Sequence, residues 1–127
     1  MNLLLDTHAL IWYITDDDKL PTKTRTLIEL SENHCFVSLA TYWEMAIKNS
    51  LGRLDFKKPI STIFDIIEQS GFDILPISIE HTLRATSLPF HHHDPFDRMI
   101  IGQAIAEDLA IITKDEKFPL YDVRLLW

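Results

Sequence analysis

The stretch Met1-Asn2-Leu3-Leu4-Leu5-Asp6-Thr7-His8-Ala9-Leu10-Ile11-Trp12 decides how the chain is read. Its apolar run, Asn2 to Leu5, has the length of a buried strand and stops abruptly at an acid, Asp6; a helical pattern follows through Trp12. The same alternation recurs along the chain. Pro21 opens a helix over 21–31 that carries Leu27, Ile28 and Leu30 on one face. Cys35-Phe36-Val37-Ser38 reads as a strand and leads into a helix over 40–51 closed by Gly52. An amphipathic helix over 60–69, a strand over 72–77 and a helix capped by Ser78 follow. A polar, His-rich segment then precedes a helix over 95–108, a strand over 110–113 and a short fifth strand at 123–126. Short apolar strands alternating with helices predict an α/β fold: three layers, α/β/α, around a central, mainly parallel sheet of four to five strands.

Composition bounds the rest. A chain of 127 residues with 46% hydrophobic content suits a single domain over 1–127. The only cysteine, Cys35, has no internal disulfide partner, which points to a reducing, cytoplasmic setting. Apolar runs are far shorter than a membrane span, and Met1 to Asp6 lacks the basic region and cleavage site of a signal peptide. Twelve basic residues against nineteen acidic ones leave a formal charge of −7, the wrong sign for holding nucleic acid by charge alone. That charge is either ordinary solubility or a set of inward carboxylates that need a cation, and position must decide.

In a parallel sheet all strands end at one edge, the intervening helices begin there, and ligands collect there. Asp6 terminates the first strand. Glu44 lies in the first half of the helix after the second strand and borders a stripe of Ala40, Trp43, Ile47 and Leu51. Asp97 sits in the first turn of the helix before the fourth strand and shares a face with Ile101, Ala104 and Ile105. Asp115 follows the fourth strand by two residues. Three of the acids also have a ready structural explanation: Asp94-Pro95-Phe96-Asp97 is a helix start, Glu44 and Lys48 form an i,i+4 pair, and Asp115 suits a turn; Asp6, which ends a buried strand without an adjacent basic partner, is the hardest to dismiss. Four of them at one edge favour a shared site. Clustered carboxylates repel one another, and a hard divalent cation, Mg²⁺ or Mn²⁺, relieves that repulsion through oxygen-only ligands.

With these residues in place, the sequence resembles the PIN-domain nucleases, specifically the VapC-type toxins of toxin–antitoxin pairs. The matching segments are Leu5 to Trp12, Ser38 through Trp43-Glu44-Met45-Ala46-Ile47-Lys48 to Leu54, His93-Asp94-Pro95-Phe96-Asp97-Arg98-Met99 to Ala104, and Ile112 to Asp115. The resemblance implies that Asp6, Glu44, Asp97 and Asp115 form an acidic metal site. It also implies RNA cleavage, a cognate antitoxin as partner and a homodimer. Many relatives carry asparagine where this chain has His8.

The expected chemistry is hydrolysis of a phosphodiester by metal-activated water. Asp6 and Asp97 are the preferred direct ligands, Glu44 and Asp115 act directly or through water, and Thr7 and Thr113 orient them. Lys48, Arg53, Arg98, Lys114 and Lys117 are candidates to meet RNA phosphates. His91-His92-His93 favours a loop or substrate contact over zinc, because consecutive residues of an extended loop point in different directions. Cys35 reads as a small core residue, and Trp12, Tyr42 and Trp43 as core or interface residues rather than base-stacking platforms. Two other functions compete: a catalytically idle interaction domain, and a phosphatase with Asp6 as nucleophile, which lacks a second aspartate because position 8 is histidine.

Overall fold

The computed structural model describes residues 1–127. Five strands form one sheet: β1 (Asn2–Leu5), β2 (His34–Ser38), β3 (Asp73–Leu75), β4 (Ala110–Ile112) and β5 (Leu125–Leu126). Every pairing is parallel and the spatial order is β3-β2-β1-β4-β5, so β1 is central. Six helices accompany the strands: α1 (Thr7–Ile14), α2 (Thr22–Glu29), α3 (Leu39–Ser50), α4 (Ile60–Gln69), α5 (Ile79–Ser87) and α6 (Pro95–Glu107).

Strand alternation divides the sheet's side chains between two cores. Leu3 and Leu5 of β1, with Cys35, Val37, Ala110 and Ile112 on its neighbours, face Leu10, Ile28, Met45, Ile63 and Ile67 from α1 to α4. Leu4 and Ile111 point the other way, onto Ile100, Ile101 and Ala104 of α6 together with Phe118 and Tyr121. Both faces are thus covered, which is why β1 carries three consecutive leucines with no exposure at all. Each contributes about 1.5–3 kcal/mol through burial. The expected three-layer arrangement is present, and the sheet is entirely rather than mainly parallel.

Element ends differ from the sequence reading for local reasons. The strand expected over 72–77 is trimmed to Asp73–Leu75; it is an edge strand, and Pro76 has no N–H to continue the ladder. The fifth strand is only Leu125–Leu126, and a 3₁₀ turn at Phe118–Leu120, centred on Pro119, precedes it unannounced. The larger correction concerns α3. Trp43 and Leu51, expected on its apolar stripe, are 63% and 61% exposed, whereas Thr41, Tyr42, Glu44 and Met45 are buried. Two polar residues on the inward face, Thr41 and Glu44, disguised its period.

Helix α6 is enclosed between the sheet and α5, with Ile100 to Ala104 all buried. Gly102 permits the contact: a Cβ there would lie 2.8 Å from the backbone nitrogen of Ala85. Backbone cannot yield as a flexible side chain would. Gly102→Ala should therefore destabilise the fold by about 1–3 kcal/mol through overpacking, in spite of alanine's better helix propensity. The shift in urea midpoint at unchanged m-value measures it; a stabilised variant would contradict the close approach.

Candidate functional site

The C-terminal ends of β1 and β4 meet at Asp6. Its carboxylate caps α1, with Oδ1 accepting from the Ala9 N–H at 2.8 Å, and Oδ2 accepts the Thr113 hydroxyl. Thr113 also accepts the Asp115 N–H at 3.0 Å, so one hydroxyl ties the end of β1 to the turn carrying the second acid. Asp6 is 5% exposed, and burial raises its pKa above the ordinary carboxylate value against the lowering effect of these two bonds.

Glu44 enters the same edge from α3 and is 3% exposed. Thr7 donates its hydroxyl to Glu44 Oε1 at 2.7 Å and stands 3.1 Å from the Thr41 hydroxyl, while Lys48 Nζ lies 2.6 Å from Oε2. The Lys48 ammonium also feels Asp94 and Asp97, so its charge belongs to this edge; the bond to Glu44 is the main cause of its raised pKa.

Asp97 stands where α6 begins. Asp94 caps that helix, accepting from the N–H groups of Phe96 and Asp97 at 2.8 and 3.2 Å, and Pro95 supplies the first helical position. Burial first, and then the charges of Asp94, Glu44, Asp6 and Asp115, push the Asp97 pKa up to about 8. Four acids, from the ends of β1 and β4, from α3 and from the cap of α6, thus act on one carboxyl. Asp115 accepts the Lys117 N–H on Oδ1 and turns Oδ2 inward.

Sequence reasoning underrated one residue here, His92. Its Nε2 lies 2.9 Å from Asp97 Oδ2 and 3.4 Å from Asp115 Oδ2, and ligand atoms of these three residues fall within 4.8 Å of one another. The Asp94 N–H donates to His92 Nδ1 at 3.2 Å, which leaves the ring hydrogen on Nε2, bonded to Asp115 Oδ2 with the Asp97 carboxyl beside it. In this tautomer His92 is a donor to the acids, not a lone-pair ligand beside them. His91 and His93 are exposed and lie instead against Tyr121 and Phe90. The alternation of an extended segment was the available signal; that its middle ring turns inward was not.

The cationic candidates separate. Arg98 is 6% exposed and donates to four carbonyls, those of Ala85, Leu88, Pro89 and His92, at 2.8–3.2 Å. It clamps the 88–92 loop, and both terminal nitrogens of the guanidinium are committed to carbonyls rather than turned out to meet RNA phosphates, unlike the expectation. Arg53 is exposed and lies past the C-terminal end of α3, where the chain turns back and its N–H donates to the Lys48 carbonyl at 2.8 Å. Lys48 stays within the cluster, and Lys114 and Lys117 are exposed beside Asp115. Cys35 is buried and its thiol is pushed up to about 11, so it is no nucleophile. Tyr42 packs edge-on against Phe64 in the core. Trp12 instead lines a cavity of about 300 Å³ shared with Asp6, His8, Lys114, Asp115 and Trp127.

The oxygen-rich donor set suits a hard divalent cation. Asp6 is held ready by an N–H and a hydroxyl, and Asp97 is a carboxyl whose ionisation its neighbours oppose, a cost that a bound cation reverses. No helix is long and apolar enough to cross a membrane.

Comparison with known proteins gives the same architecture. The PIN-domain family model matches residues 3–123. The chain is similar to VapBC2 from Rickettsia felis, solved bound to a DNA fragment from its promoter, with a TM-score of 0.77 and 21% identity over 100% of this chain and 99% of that one. It is similar to DNA-bound VapBC from Salmonella typhimurium, with a TM-score of 0.72 and 19% identity over 99% and 97% of the two chains. A toxin–antitoxin complex from Klebsiella pneumoniae follows at 0.68 and 20%, over 98% and 96%. No curated protein matches the chain.

The raised carboxyls make stability depend on pH. Unfolded, Asp97 ionises near 3.8; folded, near 8. The native state therefore binds the proton more tightly, and this group's contribution is complete below about pH 4 and lost as pH rises through 8. In chelator, unfolding free energy should fall by about 2–5 kcal/mol between pH 5 and 9, and Asp97→Asn should remove most of that fall. Denaturant titrations across this range measure it; an unchanged slope in the variant would contradict the crowding.

Proposed function

The chain belongs to the PIN-domain family, and from that premise we propose that it is a metal-dependent endoribonuclease acting as the toxin of a toxin–antitoxin pair. The observation that carries the reading is the gathering of acids at the C-terminal edge of the sheet, where Thr113 holds Asp6, Thr7 holds Glu44, and His92 Nε2 lies within 3.4 Å of both Asp97 and Asp115. Caps and one ion pair account for these acids only in part, and the repulsion among them makes sense at a cation site. The likeness to VapBC and toxin–antitoxin complexes supports an antitoxin as partner. RNA as substrate, a second copy of the chain in the assembly and the cytoplasm as compartment complete the proposal.

Asp6, Asp97 and Asp115 would hold Mg²⁺ or Mn²⁺, with Glu44 adjoining. When bound, such a cation activates water and stabilises negative charge on the phosphoryl oxygens. The chain's own groups prepare that site. Thr113 and the Ala9 N–H fix the Asp6 carboxylate in one orientation. The Nε2 hydrogen of His92 is bonded to Asp115 Oδ2, with the Asp97 carboxyl beside it. Thr7 and Lys48 fix Glu44 from two sides, and Lys48 and Lys114 offset part of the repulsion that a phosphodiester meets on approach.

Purified protein incubated with labelled single-stranded RNA should cut it in Mg²⁺ or Mn²⁺ and stop in chelator. Asp6→Asn and Asp97→Asn should each slow cleavage by about 100-fold or more. RNA binding without metal-dependent scission would replace this reading with an idle interaction domain. Phosphate release from small esters would replace it with a phosphatase.

A further inference from the structure

Beside the acids lies a cavity whose chemistry they do not explain. About 300 Å³ in volume, it is lined by three acids, Asp6, Asp115 and Glu116, and by Trp12, Trp127, His8 and Lys114. That size is at the lower end of small-ligand pockets. The two indoles meet edge to face with ring centroids 6.0 Å apart, and His8 tilts against Trp12 at 5.7 Å. Trp12 and Trp127 are half-buried: each packs partly on the core and keeps surface outside it. Two ammonium groups rest near the Trp12 ring, Lys114 at 4.9 Å and Lys19 at 5.8 Å from its centroid. Aromatic surface thus stands next to mobile positive charge, at the border of a carboxylate cluster.

We propose that this cavity seats the base of one nucleotide flanking the scissile phosphate of single-stranded RNA, stacked on the Trp12 ring and bordered by Trp127, with Lys114 meeting that nucleotide's phosphate. The proposal rests on the nuclease reading and deepens it. Flat aromatic surface with adjacent cations is the combination that holds unpaired bases without strict sequence readout. Lys114 and Lys19 both stand over the Trp12 ring, so an anion-bearing ligand is favoured at that ring. The exposed lysines are held only by a cation–π contact, and a phosphate can draw them off the ring that a base then covers. Trp12, expected as a core or interface residue, packs partly on the core and lines the cavity with the rest of its surface.

The test pairs a protein change with a substrate change. Once the cleaved bond in a labelled RNA is mapped, an abasic ribose is placed at each flanking nucleotide in turn. With the wild-type chain, one of the two abasic substrates should show a KM about 5- to 150-fold higher than the intact RNA. Trp127→Leu should raise KM on the intact RNA by a similar factor, add little on the abasic one, and be largely rescued by Trp127→Phe. A merely structural role for Trp127 would give losses that multiply. Trp12→Leu should behave as Trp127→Leu, with circular dichroism checking that both are folded. In a Trp43→Phe chain, quenching of the remaining indole fluorescence by the same RNA at low salt in Mg²⁺ reads occupancy without cleavage. Cleavage with unchanged KM and no quenching overturns the stacking site and leaves the nuclease standing. Quenching without cleavage does the reverse, and neither overturns both. Trp variants that keep RNA KM yet escape inhibition by the antitoxin would hand the cavity to the protein partner and overturn the proposal.

Discussion

One hydrogen bond joins the two strands whose ends form the acidic edge: the Thr113 hydroxyl donates to Asp6 Oδ2 across 107 residues of sequence. It is possible only because β1 and β4 lie side by side and parallel, with Leu5 opposite Ile112, so that both strands end at the same level. Burial of Leu3, Leu4 and Leu5 on both faces fixes that register, because a one-residue slip would exchange the two cores. The packing of the sheet and the placement of the acids are therefore a single constraint.

Several carboxylates at one edge would repel, and the fold answers that repulsion locally. Asp6 caps α1, and Asp94 and Asp97 open α6, so three acids sit at positive helix ends. Lys48 and Thr7 hold Glu44, and the His92 ring hydrogen lies between Asp97 and Asp115. Arg98 acts one layer out: its four carbonyl contacts hold the loop from which His92 reaches inward, and one of them is to His92 itself. Repulsion is reduced without being removed, and what remains is visible in the raised Asp97 carboxyl. A site in this condition is organised for an added positive charge.

Much of the fold was legible before any coordinates. The bounds of β1 and of the helix over 60–69 could be read directly, because their apolar patterns are uninterrupted. The signal failed where polar residues are buried. Thr41 and Glu44 are hidden through hydrogen bonds to groups on or beside α1, so the apolar period of α3 pointed to Trp43, which is exposed. Arg98 misled in the same way, since a charged side chain in a helix reads as surface until its carbonyl partners are known. Convergence of Asp6, Glu44, Asp97 and Asp115 followed from topology, whereas the inclusion of His92 did not.

The chain's own order of residues determined that short apolar strands would alternate with helices, that the sheet would be parallel, and that acids would stand at its C-terminal edge. Those features follow from local pattern and from the geometry any parallel sheet must obey. Only the tertiary structure decided which polar groups turn inward, that His92 rather than His91 or His93 meets the acids, and that Trp12 and Trp127 share a wall. Such choices depend on the direction of individual side chains across contacts far apart in sequence, and no periodicity along the chain encodes a direction in space.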